Sequence, residues 1–93
     1  MADEKKPHFA GLVASELISA RERHRYPLAS PHEAYAVILE ELDEFKTEVF
    51  KRGEFRSRDQ MLHELAQTAA MCQRAAEDLA LIPRTAWSHD DVG

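Results

Sequence analysis

Apolar residues recur along this chain at spacings of three and four, a helical period, and no stretch shows the strict alternation of a half-buried strand. Leu12, Val13, Leu17 and Ile18 predict a first amphipathic helix from about Phe9 to His24, ending before Tyr26-Pro27. Pro27 and Pro31 bracket a short connection. Ser30-Pro31-His32-Glu33 then carries two start signals: a capping box from Ser30 to Glu33, and a proline at the first helical position, where its missing N–H costs nothing. Tyr35, Ile38, Leu39, Leu42, Phe45 and Val49 give the second helix one apolar face, and it runs from Pro31 to Arg52, with Gly53 as its stop. Ser57 with Gln60 offers another capping box. Met61, Leu65, Thr68, Cys72, Ala75 and Leu79 continue as an apolar stripe over a third helix, Arg58 to Leu81, closed by Pro83.

The fold class that follows is all-α. Three helices form one domain over residues 9–82, with the second and third an antiparallel hairpin; residues 1–8 are a flexible N-terminus and residues 83–93 a loose tail containing Trp87. A chain of 93 residues buries a modest share of its surface. Oligomerisation is therefore expected to complete the bundle.

Composition narrows the function classes. A net charge of −5, from 17 acidic and 12 basic residues, argues against a surface built to neutralise nucleic-acid phosphates. One cysteine, Cys72, allows no intrachain disulfide; it falls in the apolar stripe and reads as core packing in a reducing, cytoplasmic setting. No apolar run approaches the ~20 residues of a membrane span.

The acidic excess carries the candidate chemistry. At about 100° per residue, Glu41, Glu44 and Glu48 share one stripe beside Ile38 and Phe45, while Glu40 and Asp43 point further outward. On the third helix Glu64 lies at the edge of the apolar stripe, with Gln67 one turn along. The midpoint of Glu41/Glu44 and the midpoint of Glu64/Gln67 are equidistant from residue 54, so a hairpin folded beside Gly53 brings the two pairs to one level. Oxygen ligands from facing helices at one level are how helical bundles build carboxylate metal sites. A hard divalent cation such as Mg2+ suits them. Ordinary solvated glutamates with i, i+4 partners are the alternative reading of the same spacing.

His32-Glu33-Ala34-Tyr35-Ala36-Val37-Ile38-Leu39-Glu40-Glu41-Leu42-Asp43-Glu44, followed by Glu64-Leu65-Ala66-Gln67, resembles the MazG-like all-α nucleoside triphosphate pyrophosphohydrolases, especially their short phage and bacterial members. The family pattern is E-E-x-x-E on one helix and E-x-x-D on the next. Glu40, Glu41 and Glu44 match the first part and Glu64 opens the second, whereas Gln67 departs from the aspartate. The resemblance covers about residues 30 to 80. It implies hydrolysis of a nucleoside triphosphate to the monophosphate and pyrophosphate, with Mg2+ held by Glu41, Glu44 and Glu64, Gln67 offering a neutral carbonyl oxygen, and Glu40 and Glu41 as catalytic carboxylates. It also implies a homodimer or homotetramer. The family's fourth helix is missing, and the Gln67 departure admits a second outcome: a MazG-like helical interaction or nucleotide-binding protein without turnover.

Other residues are placed outside this centre. Arg74, two turns beyond Gln67, is a candidate phosphate contact, in competition with an ion pair to Asp78. Asp78 lies about 21 Å from Glu64 along a helix and is excluded from the ion. His63 points about 100° away from Glu64, and none of the five histidines has a zinc-like partner spacing. Lys46, Lys51, Arg52, Arg56 and Arg58 cluster around the hairpin turn, where helix C-terminal charge accounts for them.

Overall fold

A computed structural model of the chain describes residues 8–83. The termini expected to be loose fall almost wholly outside those residues, Trp87 among them. Three helices make up the described chain: α1 (Phe9–Arg23), α2 (Pro31–Val49) and α3 (Arg58–Asp78), with a short 3-10 turn at Gly53–Phe55 between the last two. The all-α expectation holds, and the described residues contain no strand.

Each helix starts where a side chain can accept from its free N–H groups. His8 caps α1, its Nδ1 accepting from Gly11 N at 3.2 Å; a Cβ at Gly11 would stand 3.2 Å from the imidazole, so the glycine gives the ring room to fold over the helix end. Ser30 caps α2, Oγ accepting from Glu33 N at 3.1 Å. The returning bond of this capping box goes one residue upstream of its usual target: Glu33 Oε1 accepts from Ala29 N at 2.6 Å. Ser57 caps α3 through Gln60 N at 3.0 Å. Here the expected box is open, because Ser57 N is already taken by Glu48 Oε2 at 2.8 Å, and the Gln60 amide turns instead to Glu64.

Both α2 and α3 end three residues earlier than their apolar stripes suggest. The chain leaves α2 at Val49 and makes the 3-10 turn before Ser57. Helix α3 ends in a Schellman motif: Leu81 N donates to Ala76 O at 2.9 Å, Ala80 N donates to Glu77 O at 3.1 Å, and Ala80 takes the left-handed conformation at φ 55°. An alanine at this position costs more than the usual glycine.

Helix α3 is the central element and packs against both others. Toward α1, Ala70 and Met71 enclose Ala20, with Val13, Leu17, Val37 and Ile38 packed around them. Toward the start of α2, Ala75 meets Leu28 and Ala34. The small side chains of Ala66, Ala70 and Ala75 let neighbouring backbones approach. At one end of the α2–α3 pair, Glu48 meets Ser57; at the other, Leu28 N donates to Asp78 Oδ2 at 2.9 Å, so contacts run along the two helices in opposite chain directions. Asp78 also receives Arg21 Nη1 at 3.0 Å, tying α1, the connecting loop and α3 together.

The apolar stripes predicted to be core divide in two. Val37, Ile38 and Phe45 turn inward or to the edge, whereas Tyr35, Leu39 and Leu42 on α2 are 67%, 39% and 47% exposed. On α3, Leu62, Leu65 and Cys72 are exposed as well, which corrects the placement of Cys72 in the core. The cause is the helical phase: α1 occupies the side of α3 carrying Gln67, Ala70 and Arg74, and these residues lie roughly opposite Leu62 and Leu65 at 100° per residue. The hairpin thus has one face covered by α1 and one apolar face uncovered among the described residues.

Candidate metal centre

The Glu48 carboxylate sets the hairpin register. It is buried to 3% exposure, accepts from Ser57 N at the start of α3 and pairs with Lys51 Nζ at 2.9 Å; the Lys51 bond first, then the Ser57 bond, hold its pKa below the usual range. Although Glu48 shares a stripe with Glu41 and Glu44, it is a structural clamp, outside the cluster. With that end fixed, α2 and α3 bring Glu41, Glu44 and Glu64 together: one carboxylate oxygen from each lies within 4.8 Å of the other two. The predicted level of these three acids is the observed one.

Three carboxylates this close resist joint ionisation. Lost hydration, followed by the Glu41 charge and hydrogen bonds to Glu64 and Glu41, pushes Glu44 up to about 7. Glu41 is raised too, chiefly by burial and then by the charges of Glu64 and Glu40, against a lowering hydrogen bond from Glu44 and the pull of Arg23. Glu64 is buried, and its carboxylate accepts from Gln60 Nε2, while Thr68 Oγ1 donates to the Glu64 carbonyl at 2.8 Å. Oxygen donors alone, carrying more negative charge than the site tolerates, are the chemistry of a hard divalent cation.

Gln67 joins the cluster with an amide that meets two environments. One of its terminal positions lies 3.1 Å from Glu41 Oε2 and 3.3 Å from Glu64 Oε2; the other lies 3.2 Å from His63 Nε2 and 3.4 Å from Glu16 Oε2. Glu16 Oε1 in turn stands 3.4 Å from His63 Nδ1. Nothing in the sequence singles out Glu16, and helical phase sets His63 aside as pointing away from Glu64, because their link to the site runs through a tertiary contact of α1 with α3. The single readable signal was that Glu16, Ala20 and Arg23 share a helical face.

Glu40 is exposed, beside Glu41 on the wall of a cavity of about 620 Å3 and outside the three-carboxylate group. Glu16, Ala20, Arg23, Val37, Gln67 and Met71 also line this cavity. Arg74 lines it as well, but is 5% exposed: Nη2 donates to the Tyr26 carbonyl at 3.2 Å, and Nε stands 3.5 Å from Asp78 Oδ2 without a hydrogen bond. The Arg74–Asp78 pair is therefore present as expected from i, i+4 spacing, and it is interior rather than a surface pair. Asp78 is excluded from the cluster, as its distance along α3 requires. On the far side of the acids, Glu44, Lys51, Gln60 and Glu64 line a second cavity of about 470 Å3. The carboxylates thus border two cavities, the larger with arginines in its wall.

Among the described residues no helix is long and apolar enough to cross a membrane. No protein-family model, curated protein or solved structure matches the chain.

Proposed function

We propose that this chain is a Mg2+-dependent nucleoside triphosphate pyrophosphohydrolase of MazG-like type. The observation that carries the reading is the convergence of Glu41, Glu44 and Glu64 from two helices, within 4.8 Å, with Glu41 on the wall of a cavity of about 620 Å3 and Glu44 and Glu64 on the wall of one of about 470 Å3. The donor set fits the ion: all its atoms are oxygens, and Glu44 holds a proton near neutrality for want of a compensating positive charge. Glu41, Glu44 and Glu64 would hold Mg2+, with the Gln67 carbonyl as a neutral fourth ligand.

Bound there, the ion supplies positive charge to the phosphate oxygens. The residues of the chain do the rest. The cavity between α1 and α2 receives the nucleoside against Ala20, Val37 and Met71. Arg23, close enough to pull on the Glu41 carboxylate, faces the phosphates. Arg74 is already engaged by Tyr26 and Asp78, and this places it as a wall of the cavity, with Arg23 taking over the phosphate contact expected of it. Glu40 or Glu41 accepts a proton from water as it attacks the α-phosphorus in line, and the bond to the bridging oxygen breaks to give the monophosphate and pyrophosphate.

A homodimer completes the particle. Tyr35, Leu39, Leu42, Leu62 and Leu65 lie on the hairpin face opposite α1, and the hairpin of a second copy, laid on this face, forms a four-helix arrangement. Self-association suits the face because it is apolar along both helices and lies away from the carboxylates, leaving each site open.

The test is incubation of the purified protein with the ordinary and damaged (deoxy)nucleoside triphosphates and Mg2+, with detection of pyrophosphate and monophosphate. Turnover lost in Glu41→Gln supports the reading. Absence of pyrophosphate with every substrate rejects hydrolysis. One feature favours the non-catalytic alternative: the amide where a fourth carboxylate is expected. Nucleotide-induced stabilisation without turnover would identify that protein.

A further inference from the structure

The turn of the hairpin presents a surface outside the carboxylate cluster. Phe50, just past the end of α2, is 79% exposed, and Phe55, closing the 3-10 turn, is 65% exposed. Lys46, Lys51, Arg52, Arg56 and Arg58 flank these rings in the chain, all exposed, against the acids Glu48, Glu54 and Asp59; the whole chain, by contrast, is at −5. Glu48 is buried and paired with Lys51, and Glu54 stands 3.6 Å from Arg52. Lys46, Arg56 and Arg58 form no ion pair among the described residues. Compensation of the helix dipole accounts for Lys46, in the last turn of α2, and for no other member of the group. Arg58 opens α3 and Arg56 precedes its Ser57 cap, at the end of a helix where a positive charge is unfavourable. Two exposed phenyl rings and a group of cations thus share one end of the hairpin, and the dipole of α3 works against two of those cations.

We propose that this turn docks on an anionic lipid surface, with Phe50 and Phe55 entering the headgroup region and Lys46, Arg52, Arg56 and Arg58 meeting the lipid charges. Exposed apolar side chains ringed by basic ones are the composition of an interfacial anchor: the rings supply apolar area, and the cations supply attraction to anionic headgroups. Contact of this kind is peripheral, since none of the described helices is long and apolar enough to cross a membrane. Shape and charge favour lipid over a nucleic-acid strand. A strand needs a cationic groove with aromatic platforms along it. The hollow beside the turn, about 470 Å3 with Phe55 in its wall, is also lined by Glu44, Glu48 and Glu64, and so repels phosphates. A flat surface meets the turn end-on and leaves that hollow aside. The acids further back on α2 oppose the contact little: Glu44 and Asp43 precede Phe50 by six and seven residues, roughly 9 Å or more along the helix, beyond a Debye length of about 8 Å. The proposal is independent of the metal reading.

Co-sedimentation of the full chain with vesicles tests it, in chelator so that no divalent ion can bridge acidic side chains to the lipid. Vesicles of phosphatidylcholine alone are compared with vesicles of phosphatidylcholine mixed with phosphatidylserine. Binding to the anionic vesicles is expected to be at least about tenfold stronger than to the neutral ones, and to weaken as salt is added. This comparison needs no variant. The pair Arg52→Glu with Arg58→Glu, and the pair Phe50→Ser with Phe55→Ser, should each lower anionic binding by about tenfold or more with unchanged circular dichroism. All four side chains are exposed, and a glutamate opening α3 suits its dipole. Equal binding to both kinds of vesicle, binding to neither, or anionic binding that survives either pair of substitutions overturns the proposal. So does tighter binding to a labelled oligothymidylate, which would assign the turn to single-stranded nucleic acid.

Discussion

Glu44 on α2 and Glu64 on α3 face each other across the hairpin with carboxylate oxygens within 4.8 Å, and an acid held this close to other carboxylates gives up its proton reluctantly. Glu44 is pushed up to about 7, by lost hydration first and by its acidic neighbours next. Its unfolded counterpart titrates near 4.5, so between those values the folded protein binds more protons than the unfolded one. Stability contributed by the protonated Glu44 is present at low pH and is lost as pH rises from 4.5 through about 7. In chelator, the melting temperature is therefore expected to fall between about pH 5 and pH 8. Magnesium should remove most of that slope by replacing the proton, and a melting series at several pH values with and without the ion checks both parts.

Substituting Glu44→Gln keeps the shape of the side chain and deletes the ionisation. The variant is expected to melt higher than wild type at pH 8 in chelator, because one repelling charge is gone. It should also lose the magnesium response. Calorimetric titration gives the second half of the prediction, and wild-type affinity in this variant would show that Glu44 is no ligand.

The opposite change, Gln67→Asp, adds a carboxylate in place of an amide one end of which lies 3.1 Å from Glu41 Oε2 and 3.3 Å from Glu64 Oε2. Magnesium binding is expected to tighten by at least about tenfold, equal to about 1.4 kcal/mol. The apo protein should become less stable at pH 8, since a fourth acid enters a site already reluctant to ionise. Affinity and melting, measured on one preparation, move in opposite directions if the site works as described.

Asp78 joins three parts of the chain: it accepts from Arg21 Nη1, accepts from Leu28 N and stands beside Arg74 Nε. Asp78→Ala leaves the Arg74 guanidinium buried without its carboxylate and frees the Leu28 N–H. Loss of one partner from a buried pair costs about 3 kcal/mol. Chemical denaturation is the measurement, and a change below about 1 kcal/mol would mean that water reaches Arg74 readily.

What was legible in the sequence was whatever depends on local spacing. Ser30 and Ser57 announce two helix starts, and the equal distances of Glu41/Glu44 and Glu64/Gln67 from residue 54 place three acids at one level, as observed. Glu48 shows the limit of that reasoning. Its stripe was right, but the N-cap of the following helix turned it into a clamp, and only the folded turn makes that contact. Glu16 and His63 belong to the same class, because the docking of α1 on α3 is set by the alanines of the interface rather than by any pattern near Gln67. The apolar stripes gave the helices correctly and the burial only by half, since periodicity tells an apolar face from a polar one and not which neighbour covers it.

The uncovered half supplies the last prediction. Leu42 is 47% exposed on α2 between Leu39 and Phe45, on the side of the hairpin away from α1. If a second copy covers this face, Leu42→Glu places a charge within an apolar contact and should convert a dimer into a monomer, read by light scattering or sedimentation. The acidic cluster is on other residues of α2, so magnesium binding is expected to survive in the dissociated chain. An unchanged mass would locate self-association elsewhere, whereas loss of magnesium binding together with the dimer would show that the partner helps to hold Glu41 and Glu44 in place.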